Sequence, residues 1–243
     1  MSDIAAAGTV ALRKVYGQGD ASVEALRGVD VSFAEGAFTA IMGPSGSGKS
    51  TLLHCMAGLD FPTSGNVFIG ETDLTTLSEK ELTQLRRDRI GFIFQAFNLV
   101  PTLNASENIT LPLDIAGRDV DDAWFDTVVD TIGLRDRLSH RPTELSGGQQ
   151  QRVAGARALV SRPSIVFADE PTGNLDSKSG AGLLSFLRTA VDEHGQTIVM
   201  VTHDAHAAAT ADRVVILADG AIVTDLHTPS EQAISAALLE ASR

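Results

Sequence analysis

The chain has 243 residues, of which 43% are hydrophobic and 5% are aromatic, and its 31 acidic and 19 basic residues give a formal net charge of −12. This length and composition are typical of one α/β domain with an ample apolar core. The negative charge disfavours nucleic acid as the main partner, because binding a phosphate backbone needs a basic face. We therefore predict no nucleic-acid partner.

Cysteine content and hydropathy point to a chain that needs a partner for any membrane role. The single cysteine, Cys55, leaves no intrachain disulfide and fits a reducing compartment. Residues Met1–Gly8 lack the basic and apolar regions of a signal peptide. No run reaches the roughly 18 apolar residues of a membrane helix. We expect this chain alone neither to cross nor to enter a membrane.

Two predicted strands open the chain. Residues Thr9–Val15 alternate apolar and polar side chains, and Glu24–Phe33 resumes the alternation as one or two strands. Tyr16, the only tyrosine, follows the first strand and precedes a predicted turn over residues 17–20. A tyrosine at this place could stack on a purine ring, although an edge aromatic without a ligand is the commoner case.

A glycine-rich loop comes next. Residues 43–50 read G-x-x-x-x-G-K-S between a predicted buried strand, Ala37–Met42, and a predicted helix, Thr51–Gly58. This is the context of a phosphate-binding loop, in which backbone N–H groups and the positive end of a helix face an anion. Lys49 can reach the terminal phosphates, and the Ser50 hydroxyl can bind magnesium. The predicted phosphate-binding residues are Gly43, Pro44, Ser45, Gly46, Ser47, Gly48, Lys49, Ser50 and Thr51.

A capped helix and a buried strand lead to a glutamine. Ser78 and Glu81 have the spacing of a capping box and predict the start of a helix. The apolar residues Ile90–Phe94 predict a buried strand, and Gln95 ends it. A glutamine at the carboxyl end of a strand beside a phosphate site can bind magnesium or orient water; the alternative is an ordinary loop amide.

Helical periodicity dominates residues 96–161. We expect helices over Ala105–Ala116, Asp121–Gly133 and Gly148–Ser161, which form a helical insertion between strands of one sheet. The pentapeptide Leu145-Ser146-Gly147-Gly148-Gln149 lies in this insertion. Its serine is a natural helix cap and its glycines expose the backbone, so it is a second candidate anion site without an obvious ligand in the same chain. Read alone, it could be only a turn and a cap.

Two acidic residues follow another apolar strand. Ser164–Ala168 predicts the strand, and Asp169 and Glu170 come at its carboxyl end. Buried carboxylates are costly unless they have a role. Asp169 fits the magnesium-holding aspartate of a phosphate-loop ATPase, and Glu170 is placed to polarise an attacking water. The alternative is an acidic loop.

The last third of the chain adds one more candidate residue. The pattern predicts a helix over Ser177–Glu193, a strand over Gln196–Val201, a hairpin of Arg213–Leu217 and Ala221–Thr224, and a final helix over Pro229–Ser242. His203 follows the strand and could contact a γ-phosphate, although a lone histidine is usually structural. The glycine loop, Gln95, the acidic pair and His203 thus lie at the carboxyl ends of separate strands, where open parallel sheets bind ligands.

These residues resemble the ATP-binding subunit of ABC transporters over essentially the whole chain. The loop matches Walker A, Leu145–Gln149 matches the ABC signature, and Ile165–Asp169 with Glu170 matches Walker B and its catalytic glutamate. The residues Tyr16, Gln95, Asn174-Leu175-Asp176 and His203 fall where the family has its A-loop, Q-loop, D-loop and switch histidine. The resemblance implies a P-loop NTPase core with a RecA-like parallel sheet, an antiparallel β edge and an inserted helical subdomain. The core would be residues 1–95 and 162–243 of a single ABC ATPase domain, and the subdomain residues 96–161.

The resemblance also implies ATP and Mg²⁺ as cofactors and a second copy as partner. Two subunits would pair head to tail, so that residues 146–149 of one close over the γ-phosphate held by Lys49 of the other. Glu170 would orient water, while Lys49, His203, Ser146 and magnesium stabilise charge on the phosphoryl group. Nucleotide contacts would also come from Tyr16, Gln95, Leu145, Gly147, Gly148, Gln149 and Asp176. Magnesium contacts would come from Ser50, Gln95 and Asp169.

A narrower resemblance is to the MacB/LolD group, with the cell-division ATPase FtsE as a relative. It rests on the residues 17–20, 58–65, 92–99 and 171–176. It implies a peripheral subunit at the cytoplasmic face of the membrane, docked through residues 96–118 to a permease with four membrane helices and a large extracytoplasmic domain. An importer ATPase and a regulatory ATPase of the FtsE type remain alternatives. A soluble ABC protein of translation or DNA repair is disfavoured, because the chain has one ATPase half, no heptads and a negative charge.

Overall fold

The computed structural model describes residues 5–17 and 19–241. Within these residues the strands are β1 (Ala5–Tyr16), β2 (Val23–Ala34), β3 (Phe38–Met42), β4 (Ser64–Ile69), β5 (Thr72–Asp73), β6 (Ile90–Ile93), β7 (Ile165–Asp169), β8 (Ile198–Val201), β9 (Arg213–Ala218) and β10 (Ala221–His227). The α-helices are α1 (Lys49–Met56), α2 (Glu79–Arg89), α3 (Ala105–Ala116), α4 (Asp122–Ile132), α5 (Gly147–Leu159), α6 (Ser177–His194), α7 (Ala205–Ala208) and α8 (Glu231–Ala241).

The strands form two sheets. One is antiparallel with the order β2-β1-β4-β5, and the other has six strands in the order β10-β9-β3-β8-β7-β6. In the second sheet all neighbours pair in parallel except β10, which pairs with β9 in an antiparallel hairpin. This α/β architecture, with a parallel sheet and an antiparallel sheet beside it, confirms the predicted fold class.

The parallel strands are buried on both faces. Along β7, Ile165 and Phe167 face one apolar cluster with α1 and the antiparallel sheet, whereas Val166 and Ala168 face a second cluster with the helices of the other side. Successive strand residues point to opposite faces, so a strand covered on both sides needs a continuous apolar run. The polar residues that follow these strands therefore extend from buried, closely packed elements.

The helices α3, α4 and α5 follow β6 and precede β7 in the chain. Side chains cap their first turns: Asn104 and Glu107 form a capping box for α3, and Ser146 and Gln149 form one for α5. Helix α5 is the central element of this group, because it contacts α3, α4, α6 and β6. Its position connects the helical group to the edge of the parallel sheet.

Several predicted elements differ from the observed ones in their ends. Strand β1 begins at Ala5 rather than Thr9, and β2 is one strand. Neither β5 nor α7 was predicted, because two and four residues are too few for a periodic pattern. Of the predicted turn at 17–20, residue 18 lies outside the described residues, as does the last residue of the predicted final helix. No helix of the described chain is long and apolar enough to span a bilayer.

Candidate nucleotide site

Four neighbouring parallel strands carry the candidate residues at their carboxyl ends. The strands β3, β8, β7 and β6 are adjacent in that order, and they lead into the glycine loop, His203, Asp169 with Glu170, and Gln95 respectively. The carboxyl ends of parallel strands meet at one edge of a sheet, where ligands bind in open α/β folds. The structure therefore brings these predicted residues to one edge.

Glycine is required at two positions of the loop. Gly43 has φ +145°, and a Cβ there would overlap the carbonyl oxygen of Leu217. Gly48 has φ +102°, and a Cβ there would overlap the carbonyl oxygen of Ala25. Gly48 is also the N-cap of α1 and provides no side-chain cap, so the first N–H groups of that helix remain for an anion.

The Lys49 ammonium lies over the loop. Lys49 Nζ donates to the carbonyl oxygens of Gly43 at 2.9 Å and of Pro44 at 2.8 Å. Burial lowers the pKa of Lys49, and the nearby charges of Glu170 and Asp169 oppose that shift. A cation held over free N–H groups is suited to bind phosphate oxygens.

Ser50 and Asp169 form the candidate magnesium site. Ser50 Oγ donates to Asp169 Oδ1 at 3.2 Å, and His54 Nε2 lies 3.3 Å from Asp169 Oδ2. Hydroxyl and carboxylate oxygens are ligands that Mg²⁺ prefers. In the described chain no group of three or more His, Cys, Asp and Glu residues could hold a metal. Ser50 and Asp169 thus offer one hydroxyl and one carboxylate, and a magnesium ion here would need further oxygen ligands, such as the Gln95 amide and the phosphates of a nucleotide.

Glu170 is held in an uncommon backbone conformation. Its φ is +47°, in the left-handed region that costs a non-glycine residue about 1–3 kcal/mol. The Glu170 N–H donates to the Val201 carbonyl oxygen at 2.9 Å, which ties it to the neighbouring strand β8. His203 Nδ1 donates to Glu170 Oε2 at 2.9 Å. The carboxylate is thus oriented by its own backbone and by the histidine.

Gln95 contacts the segment that follows Glu170. Asn174 Nδ2 donates to the Gln95 carbonyl oxygen at 3.1 Å. A Cβ on Gly173 would lie 2.8 Å from Gln95 Nε2, so the Gln95 side chain approaches this segment closely. The predicted Q-loop and D-loop residues of one chain therefore touch each other.

The signature pentapeptide begins helix α5. Ser146 N donates to Gln149 Oε1 at 2.8 Å, and Gln149 N donates to Ser146 Oγ at 3.3 Å. A Cβ on Gly148 would lie 2.5 Å from Ser179 Oγ, so this glycine lets α5 approach α6 closely. Asp176 caps α6 by accepting from Ser179 N at 3.0 Å and from Ser179 Oγ at 2.7 Å. The pentapeptide thus lies at the start of α5, next to the start of the adjacent helix α6.

Tyr16 ends strand β1 near the loop. Its hydroxyl donates to Asp60 Oδ2 at 2.6 Å, and Lys14 Nζ lies 4.7 Å from the ring centroid. Burial and the Asp60 carboxylate raise the pKa of Tyr16, whereas a hydrogen bond with Thr51 in the first turn of α1 lowers it. Tyr16 as a residue is 43% exposed, so its ring is available for stacking beside the phosphate loop.

Sequence analysis missed two residues of the site. His54 contacts Asp169, and the hydrogen bond that its ring donates to that carboxylate raises the pKa of His54. The i, i+4 spacing of Ser50 and His54 on α1, which places them on one face, was a usable signal. Gln151 is fully buried and donates to the carbonyl oxygens of Phe94 and Pro171. Its contacts join elements distant in sequence, and no local pattern predicts them.

Comparison with protein families gives a match to one family. The family model described as ABC transporter matches residues 26–173, which is more than half of the chain. The matched range includes the loop, Gln95, the pentapeptide and the acidic pair.

Individual relatives agree with that match. The lipoprotein-releasing system ATP-binding protein LolD of Legionella pneumophila is 45% identical over 213 residues, which cover 87% of this chain and 94% of that protein. The macrolide export ATP-binding/permease protein MacB of Bdellovibrio bacteriovorus is 46% identical over 214 residues, which cover 88% of this chain and 33% of that protein. The chain thus spans about a third of the length of that longer relative.

A solved structure is similar over nearly the whole chain. It is a dimeric ATP-binding cassette in a post-hydrolysis state bound to ADP and Pi, with a TM-score of 0.82 and 41% identity. The match covers 92% of this chain and 99% of that one.

Proposed function

The chain belongs to the ABC transporter family as an ATP-binding subunit of the MacB and LolD type and is an ATPase, and from that premise we propose that it hydrolyses magnesium-bound ATP at a site shared by two copies to drive a separate membrane permease. The observation that carries the proposal is the single sheet edge at which Lys49, the Ser50–Asp169 contact and the Glu170–His203 pair meet. Residues 1–95 and 162–243 are the nucleotide-binding core, and residues 96–161 are the helical subdomain.

The loop residues bind the phosphates. The backbone N–H groups of residues 45–51 face the β- and γ-phosphate oxygens, Lys49 neutralises their charge, and Tyr16 stacks on the adenine. Ser50, Asp169 and Gln95 would hold the magnesium ion. When bound, the ion would supply positive charge to the phosphate oxygens.

Glu170 and His203 act on the attacking water. The Glu170 carboxylate orients the water and accepts its proton, and its fixed backbone keeps the oxygen atoms in place for that step. His203 and Lys49, together with Ser146 of the second copy, stabilise the charge on the transferred phosphoryl group. The hydrogen bond between His203 and Glu170 supports this division of roles, since it keeps both groups beside the same reacting atoms.

A second copy completes the site. The helix start at Ser146, Gly147 and Gly148 is a candidate anion site whose contacts in its own chain are with α6 and Phe97 rather than with the loop. A head-to-tail pair would place it, together with Leu145, Gln149 and Asp176, on the γ-phosphate of the partner copy. The dimeric cassette with ADP and Pi supports this arrangement.

The permease docks on the surface beside α3. An apolar depression of about 320 Å³ lies between the sheet edge and α3, within reach of the docking range 96–118. Ile90, Phe92, Leu111, Pro112 and Ile115 line it, and Ile115 is 71% exposed. An apolar groove of this kind is suited to an amphipathic helix. The permease would have four membrane helices and a large extracytoplasmic domain, and the subunit would lie peripherally on the cytoplasmic face.

Two experiments test the function. The purified chain should release phosphate from ATP only with magnesium, and absence of turnover in the chain and in its complex with the permease would contradict the proposal. Pull-down from native membranes should recover a four-helix permease for export, lipoprotein extraction or mechanical signalling. A permease with more helices and a separate binding protein would favour the importer alternative. An FtsE-type cell-division partner would favour the regulatory alternative.

A further inference from the structure

Side chains hold the backbone that carries Gln95. We call residues 94–100, which join β6 to the helical subdomain, the Gln95 segment. Their carbonyl oxygens accept hydrogen bonds from side chains as follows: Phe94 from Gln151 at 3.0 Å, Gln95 from Asn174 at 3.1 Å, Asn98 and Phe97 from Arg157 at 2.7 and 3.1 Å, and Val100 from Asn108 at 3.1 Å. The segment is thus positioned by residues of α3, α5 and the loop after β7.

Gln151 makes the central contact. Its side chain is fully buried on α5, and its Nε2 donates to the Phe94 carbonyl at 3.0 Å and to the Pro171 carbonyl at 2.8 Å. One of these carbonyls directly precedes Gln95 and the other directly follows Glu170. Gln151 Oε1 is buried and accepts no hydrogen bond within the described chain, so only the donor end of the amide is used.

The contact of Gln151 with Phe94 lies just beyond the last paired residues of β6 and β7. Strands β6 and β7 pair in parallel as far as Ile93 and Ala168. Beyond that pair, the amide of Gln151 bridges the two segments. Because the amide is planar and its two N–H groups are fixed, it sets the separation of the Phe94 and Pro171 carbonyls. That separation determines how far Gln95 stands from Glu170.

Arg157 connects the same helix to the docking surface. It donates to the Phe97 and Asn98 carbonyls and lines the apolar depression beside α3. Burial lowers the pKa of Arg157, yet the group remains charged at neutral pH, and charge-assisted hydrogen bonds to carbonyls offset its desolvation. A helix that starts at the signature pentapeptide therefore holds the start and the middle of the Gln95 segment.

We infer that Gln151 and Asn174 are positioning residues, which place Gln95 relative to Glu170 by holding backbone carbonyls and so link the movement of α5 to the hydrolytic geometry. The inference rests on the proposed roles of Gln95 and Glu170. Neither positioning residue needs to touch the nucleotide. A displacement of α5, whether from the permease side or from the partner copy, moves Phe94 and Pro171 together.

The test compares turnover with nucleotide affinity. Gln151→Met keeps the length and volume of the side chain but removes both donors. It should lower kcat by about 10- to 100-fold, the scale for a small misplacement of catalytic groups, while the Kd for a fluorescent ATP analogue stays within about threefold. Gln150→Met is the matched control on the same helix, because the Gln150 amide donates to Leu145 and not to the Gln95 segment. It should leave kcat near the wild-type value.

Asn174→Asp provides a variant that does not disturb the core. Asn174 is exposed, and aspartate keeps its shape but cannot donate to the Gln95 carbonyl. It should lower kcat with Kd unchanged, and an Asn174→Asp, Glu170→Gln double variant should still dimerise with ATP. This keeps the inference testable if Gln151→Met fails to fold.

The Gln95→Ala variant distinguishes a failure of the inference from a failure of the proposed role of Gln95. If Gln95→Ala lowers kcat but a folded Gln151→Met and Asn174→Asp retain wild-type kcat, the inference is wrong and the proposed function stands. If Gln95→Ala itself retains wild-type kcat, both the proposed role of Gln95 and the inference are wrong. A similar fall in kcat in all three variants, with the Kd for the ATP analogue unchanged, supports the inference.

Discussion

His203 donates from Nδ1 to Glu170 Oε2 at 2.9 Å, across the ends of the adjacent parallel strands β8 and β7. Glu170 also has a left-handed backbone and donates its N–H to Val201 of β8. These contacts fix the direction of the carboxylate at the sheet edge that carries the phosphate loop. The arrangement is that of a base held beside its reacting atoms.

Glu170→Gln should retain ATP binding and lose turnover. The amide keeps the shape of the side chain but cannot accept a proton from water. We expect kcat to fall by a factor on the order of 10² to 10⁴, the scale for loss of a general base. Phosphate release and nucleotide affinity, measured on the same preparation, check this. Near-normal hydrolysis would remove Glu170 from the role.

Ser146→Arg should abolish hydrolysis but leave nucleotide binding to a single chain. A large cation at the start of α5 blocks the helix terminus that the partner's γ-phosphate would approach. Fluorescent-nucleotide binding and light scattering of the same variant check both parts. A monomeric variant that hydrolysed ATP normally would show that the head-to-tail dimer is the wrong arrangement.

Gly43→Ala should disrupt the fold of the loop, and Gly46→Ala is its matched control. Both glycines have positive φ, but a Cβ at Gly43 would overlap the Leu217 carbonyl, whereas a Cβ at Gly46 meets no atom within 4 Å. Gly46→Ala should lower the free energy of unfolding by about 1–3 kcal/mol, and Gly43→Ala by clearly more. Denaturant unfolding of both variants measures this, and equal losses would contradict the account.

The only tyrosine of the chain gives a specific titration signal. Burial and the Asp60 carboxylate raise the pKa of Tyr16. Asp60→Asn removes the negative charge, so the pKa of Tyr16 should fall but remain above its ordinary value because burial persists. The ultraviolet absorbance of tyrosinate against pH measures it, with Asp30→Asn as the control. An unchanged pKa would mean that Asp60 does not act on the ring.

Asp60 should also contribute to stability in a defined pH range. Burial alone would raise the pKa of Asp60, but hydrogen bonds from Lys14 and Tyr16 outweigh it, and the pKa is lowered. A lowered pKa in the folded state means that the contribution is present above the unfolded-state pKa of about 3.9 and is lost as pH falls through the folded-state value. The Tm difference between the wild type and Asp60→Asn should therefore be largest near neutral pH and shrink in acid. A Tm difference that does not change with pH would contradict a pH-dependent contribution of Asp60.

Local sequence signals predicted much of the fold. The capping box of Ser78 and Glu81 and the helix Ala105–Ala116 were predicted because the information lies within one or two helical turns. The strand ends that carry Gln95, Asp169 and His203 were predicted for a similar reason, since an apolar run that stops at a polar residue marks both the element and its end. Very short elements such as α7 lack such a pattern.

Local sequence patterns did not predict contacts between segments that are far apart in the sequence. Gln151 reads as one polar residue in a helix, and only the packing of α5 on the sheet brings its amide to Phe94 and Pro171. The left-handed φ of Glu170 likewise depends on its hydrogen bond to Val201, in a strand that comes later in the chain. The roles of the site residues stay predictions, because their tests need nucleotide and partner.

Mixing two inactive variants tests the shared site most directly. Lys49→Ala removes the phosphate-binding cation, and Ser146→Arg blocks the helix start that serves the partner. In a head-to-tail pair of the two, one site keeps Lys49 from one chain and Ser146 from the other. The account predicts that each variant alone is inactive and that the mixture hydrolyses ATP. Wild-type turnover by the Ser146→Arg variant alone, with no gain on mixing, would show that each chain carries a complete site.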